Sequence, residues 1–247
     1  MQVVEDQKDQ AVEAKQGQIK ITVCLSLSGI AEGGEEVYAE FQKQIAEMEA
    51  NATLGERKCE MGQVGCRGYC SRDVLVDVYV PGEPRVTYEK VKPAMVKNIL
   101  NDHIVGGKPF KKAAAKEDYY ATIEKQTRVA LAYGGSIDPE NIDEYIQVGG
   151  YESLKKVLST MKPEEVIAEV KKSGLRGKGG GGFVTANKWE KARNAPTDEK
   201  GTRYIMVNGD EGNPASYMDR SVMEGASHQV LEGLLIGAYA IGATEAI

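Results

Sequence analysis

Four consecutive glycines, Gly179 to Gly182, constrain this chain more than any other feature of its 247 residues. They lie in the stretch Ser173-Gly174-Leu175-Arg176-Gly177-Lys178-Gly179-Gly180-Gly181-Gly182-Phe183. Each glycine costs backbone entropy and buries almost nothing, so packing does not explain the run. Its physical use is to bring backbone close to a ligand and aim several N–H groups at one anion. Arg176, Lys178 and Lys188 add positive charge, and Phe183 and Trp189 add aromatic surface. A plain flexible loop seldom carries such neighbours. The spacing Gly177-x-Gly179-x-x-Gly182 also satisfies the dinucleotide fingerprint, but that motif needs a strand before it and a helix opening on it. Here a helix is predicted ahead of the loop. It starts at Pro163, with Glu164 and Glu165 in its first turn, Lys171 and Lys172 in its last, and Gly174 as its cap. The Lys-Ser/Thr of a P-loop does not follow at the required spacing.

The four cysteines, at 24, 59, 66 and 70, all fall in the first third of the chain. No apolar run approaches the roughly 18 residues of a membrane span, and Met1 to Asp6 carry acids rather than a secretory signal. The reading is therefore a soluble, cytoplasmic protein, in which clustered thiols point to metal or redox chemistry rather than structural disulfides. A net charge of -6 argues against a nucleic-acid partner.

Hydrophobic periodicity divides the chain. Residues 1–18 read as a flexible polar tail. Ile19–Ser26 reads as a strand, followed by a helix carrying Val37, Phe41, Ile45 and Met48 on one face. Cys59–Gly65, Val74–Val80 and Val86–Tyr88 read as strands, with a turn at Pro81-Gly82, and Pro93 opens a helix that Gly106-Gly107 stops. This β-α-β-β-α order suits a small thioredoxin-like domain over 19–110. Residues 111–160 read as linker and helical lead-in, and 161–247 as the beginning of an α/β domain. There Tyr204–Asn208 is expected to be a buried strand, and His228–Ile241 a helix with the stripe Val230, Leu231, Leu234, Leu235, Ala238 and Ile241. His103 and His228 fall inside helical patterns and are read as structural.

Three stretches together resemble the NADH-oxidising flavoprotein family of complex I and of bacterial hydrogenases and formate dehydrogenases. They are Gly174 to Thr185 with Lys188-Trp189, Asn208-Gly209-Asp210-Glu211-Gly212-Asn213-Pro214, and Met218-Asp219-Arg220-Ser221 with Glu224-Gly225. The lead-in Ile137 to Tyr145 resembles the same family. The resemblance implies a non-Rossmann α/β domain holding FMN with NADH stacked on it. Gly177, Lys178, Gly179, Lys188, Asn208, Asp210 and Glu211 would face FMN. Gly180, Gly181 and Phe183 would face NAD(H). Asn213 and Lys191 depart from the family, which commonly has an acid and, in some members, a second adenine-stacking aromatic there.

Gly65-Cys66-Arg67-Gly68-Tyr69-Cys70, with Cys24 at the end of a strand, resembles the thioredoxin-like [2Fe-2S] ferredoxins. Such a cluster needs four ligands. That family's second cysteine position holds Gly29 here, so three readings stay open. Cys59 completes the set Cys24, Cys59, Cys66 and Cys70; an oxygen such as that of Ser28 completes it; or the domain holds no cluster. Together the resemblances imply a diaphorase-type subunit in which NADH reduces FMN and electrons pass to iron–sulfur subunits of a larger redox complex. The alternative is a flavin-free structural or electron-carrier subunit. Because the family's domain continues beyond Ile247, a chain supplying the rest is an expected partner, and the chain alone is expected to be inactive.

Overall fold

The computed structural model describes residues 17–197 and 199–247. The tail expected over 1–18 lies almost wholly outside the described residues. The chain divides into two compact units. One runs up to Glu144 and includes Glu224–Ala226; the other holds Tyr145–Met223 and Ser227–Ile247.

The first unit is built on a four-stranded sheet of order β2-β1-β3-β4. Its strands are β1 (Ile19–Cys24), β2 (Cys59–Val64), β3 (Val76–Tyr79) and β4 (Val86–Tyr88). β1 pairs in parallel with β2 and antiparallel with β3, and β3 pairs antiparallel with β4. Helices α1 (Leu27–Ala31), α2 (Gly34–Ala50) and α3 (Pro93–Ile99) belong to the same unit, and α3 continues as a π-helical turn over Leu100–Val105. The expected stripe of α2 is buried in full: Val37, Phe41, Ile45 and Met48 share one core with Ile19, Ile21 and Val23 of β1 and with Val76 and Val78 of β3. All six residues of β1 are buried. The strand carries Lys20 into that environment, where its ammonium meets Glu144 at 2.6 Å. Past the sheet lie α4 (Glu117–Glu124) and α5 (Ile142–Gln147).

The second unit is mainly helical, with α6 (Glu152–Thr160), α7 (Pro163–Ser173), α8 (Thr185–Asn194), α9 (Met218–Gly225, whose end belongs to the first unit) and α10 (Ser227–Ile241). α7 begins and ends as the sequence predicts. Pro163 opens it, the Glu165 carboxylate accepts the Lys162 N–H at 2.7 Å, and Gly174 closes it at φ 71°. A side chain resists that left-handed conformation, whereas glycine accepts it.

Two expectations are corrected here. Regular strand covers only β5 (Tyr204–Ile205), which pairs in parallel with β6 (Glu245–Ala246), and Tyr204 is 57% exposed, so Tyr204–Asn208 is not a buried strand. The inner face of α10 is Glu232, Gly237, Ala240 and Ile241, while Leu231 and Leu235 of the expected stripe are exposed. Glu232 turns the helix. Its carboxylate accepts the Tyr145 hydroxyl (2.7 Å) and the backbone N–H groups of Tyr151 (2.9 Å) and Leu154 (3.0 Å), capping α6 from another helix. Among the described residues no helix is long and apolar enough to cross a membrane.

Arg67 and Asp77 form a second buried ion pair, at 2.6 Å. Arg67 also donates to the Tyr119 hydroxyl (3.1 Å) and the Gly135 carbonyl (3.1 Å), and Asp77 accepts from the Thr87 hydroxyl (2.6 Å). Burial works against the Asp77 carboxylate. The charges of Arg67 and then Arg85, with hydrogen bonds from Arg67 and Thr87, outweigh it and hold the pKa below its ordinary 3.8. A depressed folded-state pKa contributes stability above the unfolded value and loses it as pH falls through the folded one. The pair's contribution is therefore complete at neutral pH and lost as the solution is acidified below 3.8. Asp77→Asn strands a buried guanidinium and is expected to cost about 3–5 kcal/mol in urea denaturation at pH 7. A loss under about 1 kcal/mol, the size of a surface pair, would contradict this assignment.

Candidate functional sites: a thiol turn and a bare glycine loop

Three of the four cysteines meet at one end of the first unit's sheet. Cys24 ends β1 and is 1% exposed, its Sγ 3.2 Å from the Ser26 hydroxyl. Ser26 in turn caps α1, its oxygen accepting the Gly29 N–H at 3.5 Å. Because β2 runs parallel to β1, the chain leaving Val64 emerges beside Cys24. Because β3 runs antiparallel, the chain entering Val76 starts there too. Cys66 and Cys70 lie in the segment between, their Sγ atoms 3.4 Å apart, with the Gly68 N–H donating to the Cys66 Sγ at 3.2 Å. A 3-10 turn, Cys70–Arg72, follows, and the Cys24 N–H donates to the Leu75 carbonyl at 2.9 Å.

Cys59 stands apart. It pairs with Ile19, five residues along the sheet from the Cys24–Val64 pair, and at about 3.3 Å per residue that separates it by roughly 16 Å. The expectation that Cys59 completes a four-thiol set with Cys24, Cys66 and Cys70 is corrected by this register. Ser28 is nearer, its hydroxyl donating to the Cys70 carbonyl at 3.5 Å. Among the described residues no three histidine, cysteine or acidic side chains converge tightly enough to hold a single metal ion.

A residue the sequence pattern does not single out completes the turn. Asp73 is 5% exposed, and neither of its carboxylate oxygens has a hydrogen-bond partner of ordinary geometry, although Cys24 and Ser28 lie beside it. Burial raises its pKa. Its only sequence signal is an acid set between Cys70 and the apolar run Val74-Leu75-Val76. Burial, then the charge of Asp73, pushes the Cys24 thiol up to about 12. Burial, then Cys66, pushes Cys70 up to about 11, and burial, then Glu49, pushes Cys59 up to about 11. The thiolate is the reactive form. In metal-free folded protein at pH 8, Cys24 and Cys59 are expected to resist iodoacetamide, and both should label once the chain is denatured in urea. Mass spectrometry of tryptic peptides reads this directly, and rapid labelling of Cys24 in the folded state would refute the burial argument.

In the second unit the glycine loop rises from a short stem. The Gly177 N–H donates to the Phe183 carbonyl at 2.9 Å, the Thr185 N–H to the Leu175 carbonyl at 3.0 Å, and Arg176 bridges Val184 in antiparallel fashion. Gly180 and Gly182 take φ of 97° and 57°. A Cβ at any of Gly179, Gly180, Gly181 or Gly182 would meet nothing within 4 Å. Among the described residues no hydrogen bond uses the N–H groups of these four glycines. The stem opens on α8, which carries Lys188 at the end of its first turn. Phe183 is 46% exposed, with the Lys188 ammonium 6.0 Å and the Lys191 ammonium 5.5 Å from its ring centroid.

Asn208, Asp210 and Glu211 follow β5. The Asn208 side-chain oxygen accepts the Asp210 N–H at 2.9 Å, and the Glu211 carboxylate accepts the Met218 N–H. Asn208 and Asp210 are exposed and Glu211 is half-buried. α8 and β5 share a support, since a Cβ at Gly237 of α10 would lie 2.7 Å from the Ile205 Cδ1 and 3.3 Å from the Trp189 Cζ2. The helix that follows the loop and the strand that leads to Asn208 are thus seated on one point of α10.

Comparison with known proteins follows the same division. Residues 10–103 match the thioredoxin-like [2Fe-2S] ferredoxin family, and residues 170–247 match the Nuo51 FMN-binding domain. The chain is 54% identical over 123 residues to the NADP-reducing hydrogenase subunit HndC of Solidesulfovibrio fructosivorans, covering 50% of this chain and 24% of that protein. It is 48% identical over 106 residues to the F subunit of the NADH-quinone oxidoreductase of Aquifex aeolicus, covering 43% of this chain and 24% of that protein. It thus spans about a quarter of the length of these curated relatives. Among solved structures, the thioredoxin-like [2Fe-2S] ferredoxin of Aquifex aeolicus aligns at 23% identity and a TM-score of 0.34, over 40% of this chain and 98% of that one. The two family matches thus lie apart on the chain, residues 10–103 being similar to the thioredoxin-like [2Fe-2S] ferredoxins and residues 170–247 to the Nuo51 FMN-binding domain.

Proposed function

We propose that this chain serves an NADH:acceptor oxidoreductase, in which NADH reduces FMN and electrons pass to iron–sulfur centres of partner subunits. One observation carries the reading: four unobstructed glycines with unused N–H groups, flanked by Arg176, Lys178 and Lys188. Such a loop suits the terminal phosphate of FMN, because unpaired N–H groups and fixed positive charge are what a dianion needs in place of water. The donor set fits the rest of the flavin as well. Asn208 offers an amide, and Asp210 and Glu211 offer acceptors for hydroxyl and ring N–H groups. FMN, when bound, supplies the hydride acceptor and the one-electron outlet that no amino acid provides.

The residues have separable tasks in this reading. Gly177, Lys178, Gly179 and Lys188 hold the phosphate end, while Asn208, Asp210 and Glu211 orient the remainder. Gly180 and Gly181 leave room for the dinucleotide NAD(H), and Phe183 offers its half-exposed ring as a stacking face. Asn213, where an acid is the family's habit, leaves one contact to the nicotinamide nucleotide weaker. In the first unit Cys24, Cys66 and Cys70 are soft ligands suited to iron, and a [2Fe-2S] cluster there would supply a one-electron carrier. The names of the relatives, one a hydrogenase subunit and the other a quinone oxidoreductase subunit, support a place among the subunits of a larger redox complex, whose iron–sulfur centres would take the electrons.

Lys188→Ala is expected to weaken FMN by about 1–3 kcal/mol, the scale of a charge-assisted hydrogen bond, which is roughly five- to 150-fold in Kd by flavin fluorescence titration. An unchanged Kd would remove Lys188 from the phosphate site. Sharing a quarter of the relatives' length, these residues are further expected not to turn over NADH without a chain that completes the flavin domain. NADH-dependent dye reduction with FMN added measures this, and turnover equal to that of a full-length relative would reject it.

A further inference from the structure

The thiol turn raises a question of ligand number. A [2Fe-2S] cluster takes two protein ligands on each iron, and the sheet register leaves only three thiols at the site. Cys66 and Cys70 already form a pair, with Sγ atoms 3.4 Å apart. Two thiolates bound at about 2.3 Å to a tetrahedral metal sit about 3.8 Å apart, so this pair is spaced to take one iron with little adjustment. The other iron would have Cys24 and need one ligand more.

What stands beside Cys24 is a carboxylate. The Cys24 N–H is bonded to the Leu75 carbonyl at 2.9 Å, and the Asp73 N–H to the Cys70 carbonyl at 3.1 Å, so the segment carrying Asp73 is tied to both halves of the thiol set. Asp73 is only 5% exposed, yet neither of its oxygens has a hydrogen-bond partner of ordinary geometry, with the Cys24 thiol, the Ser28 hydroxyl and the Leu75 backbone N–H as its neighbouring donors. A buried carboxylate without a well-formed hydrogen bond is costly and calls for a positive partner. Arg67, whose charge acts on it, is committed to Asp77, Tyr119 and Gly135. Position 29 does not supply the missing ligand either, since a Cβ there would lie 2.1 Å from the Cys24 carbonyl oxygen.

We propose that the Asp73 carboxylate is the fourth protein ligand of a [2Fe-2S] cluster held by Cys24, Cys66 and Cys70. The inference rests on the cluster assigned to this unit under the proposed function. It chooses Asp73 over Ser28 on two grounds. A carboxylate binds as an anion at neutral pH, whereas a serine must lose a far more tightly held proton to do so. Ser28 also directs its hydroxyl at the Cys70 carbonyl, at 3.5 Å, and lies beside Asp73 as a donor, while the Asp73 oxygens have no partner of ordinary geometry and are the acceptors. The ligand is a hard oxygen donor, suited to ferric iron.

The test uses the 247-residue chain, reconstituted anaerobically with iron-57 and sulfide and examined by Mössbauer spectroscopy. Two unequal iron sites, one of sulfur ligation only and one with an oxygen donor, are expected in the unaltered chain. Asp73→Cys should bind the cluster with two matching all-sulfur sites, Asp73→Asn should lose most of its iron, and Ser28→Ala should keep the unaltered spectrum. Circular dichroism checks that each variant is folded, and the spectrum of the unaltered chain decides the matter should a variant fail to fold. Two equal all-sulfur sites, or a Ser28→Ala variant that loses the oxygen-ligated site, would overturn Asp73 alone. Failure of the unaltered chain to take up iron and sulfide would overturn the cluster assignment along with it.

Discussion

The pairing of β1 on both of its edges is the constraint from which the first unit follows. A strand with a parallel neighbour on one side and an antiparallel neighbour on the other collects, at its C-terminal end, the exit of the first and the entrance of the second. Cys24 closes β1, Cys66 and Cys70 follow β2, and Asp73 precedes β3, so topology alone gathers them. The same pairing sends Cys59, the first residue of β2, to the opposite end. Proximity in sequence is misleading here. Cys59 is nearer to Cys66 along the chain than Cys24 is, and far from it in space.

Burial of β1 on both faces has a second consequence, which is that polar groups on and around it must find partners inside. Most do. Lys20 meets Glu144, Asp77 meets Arg67 and Thr87, and in the other unit Glu232 meets a hydroxyl and two backbone N–H groups. Each of these charges is costly alone and tolerable in company. Against that background the carboxylate of Asp73 is conspicuous, because neither of its oxygens has a partner of ordinary geometry and no cation is paired with it among the described residues.

The sequence disclosed those features that depend on local chemistry. The stripe Val37, Phe41, Ile45 and Met48 was readable because a helix returns to one face every 3.6 residues. The Pro163 start and Gly174 stop of α7 were readable because capping depends on residues a few positions apart. The glycine loop was readable because so few structures tolerate four glycines. What stayed hidden depends on distant partners. The inner face of α10 was misjudged because Glu232 looks like a solvent-facing acid until Tyr145, Tyr151 and Leu154 are beside it, and two leucines of the apolar stripe lie on the outside. Cys59 cannot be placed from its spacing, which does not report strand register, and nothing local to Asp73 in the sequence signals that the fold buries it.

The two sites differ in how much of their ligand geometry is built in advance. At the thiol turn the positions are set by strand ends and backbone hydrogen bonds, and a ligand arriving there needs few dihedral changes. The glycine loop is fixed at its stem, by the Gly177–Phe183 and Leu175–Thr185 bonds, and at Gly182, whose carbonyl accepts from the Arg176 guanidinium at 3.0 Å, while among the described residues the N–H groups of Gly179 to Gly182 make no backbone hydrogen bond. Ordering such a tip costs on the order of 1–2 kcal/mol per residue immobilised, which the ligand's contacts must offset. A singly held contact would not do so. A dianionic phosphate that engages several N–H groups and a lysine at once can, since charge-assisted hydrogen bonds contribute about 1.5–3 kcal/mol each. The loop's freedom therefore favours anions that take several donors together and penalises those that take one. Glycine suits this loop because the selectivity comes from the backbone, which side chains on the tip would obstruct.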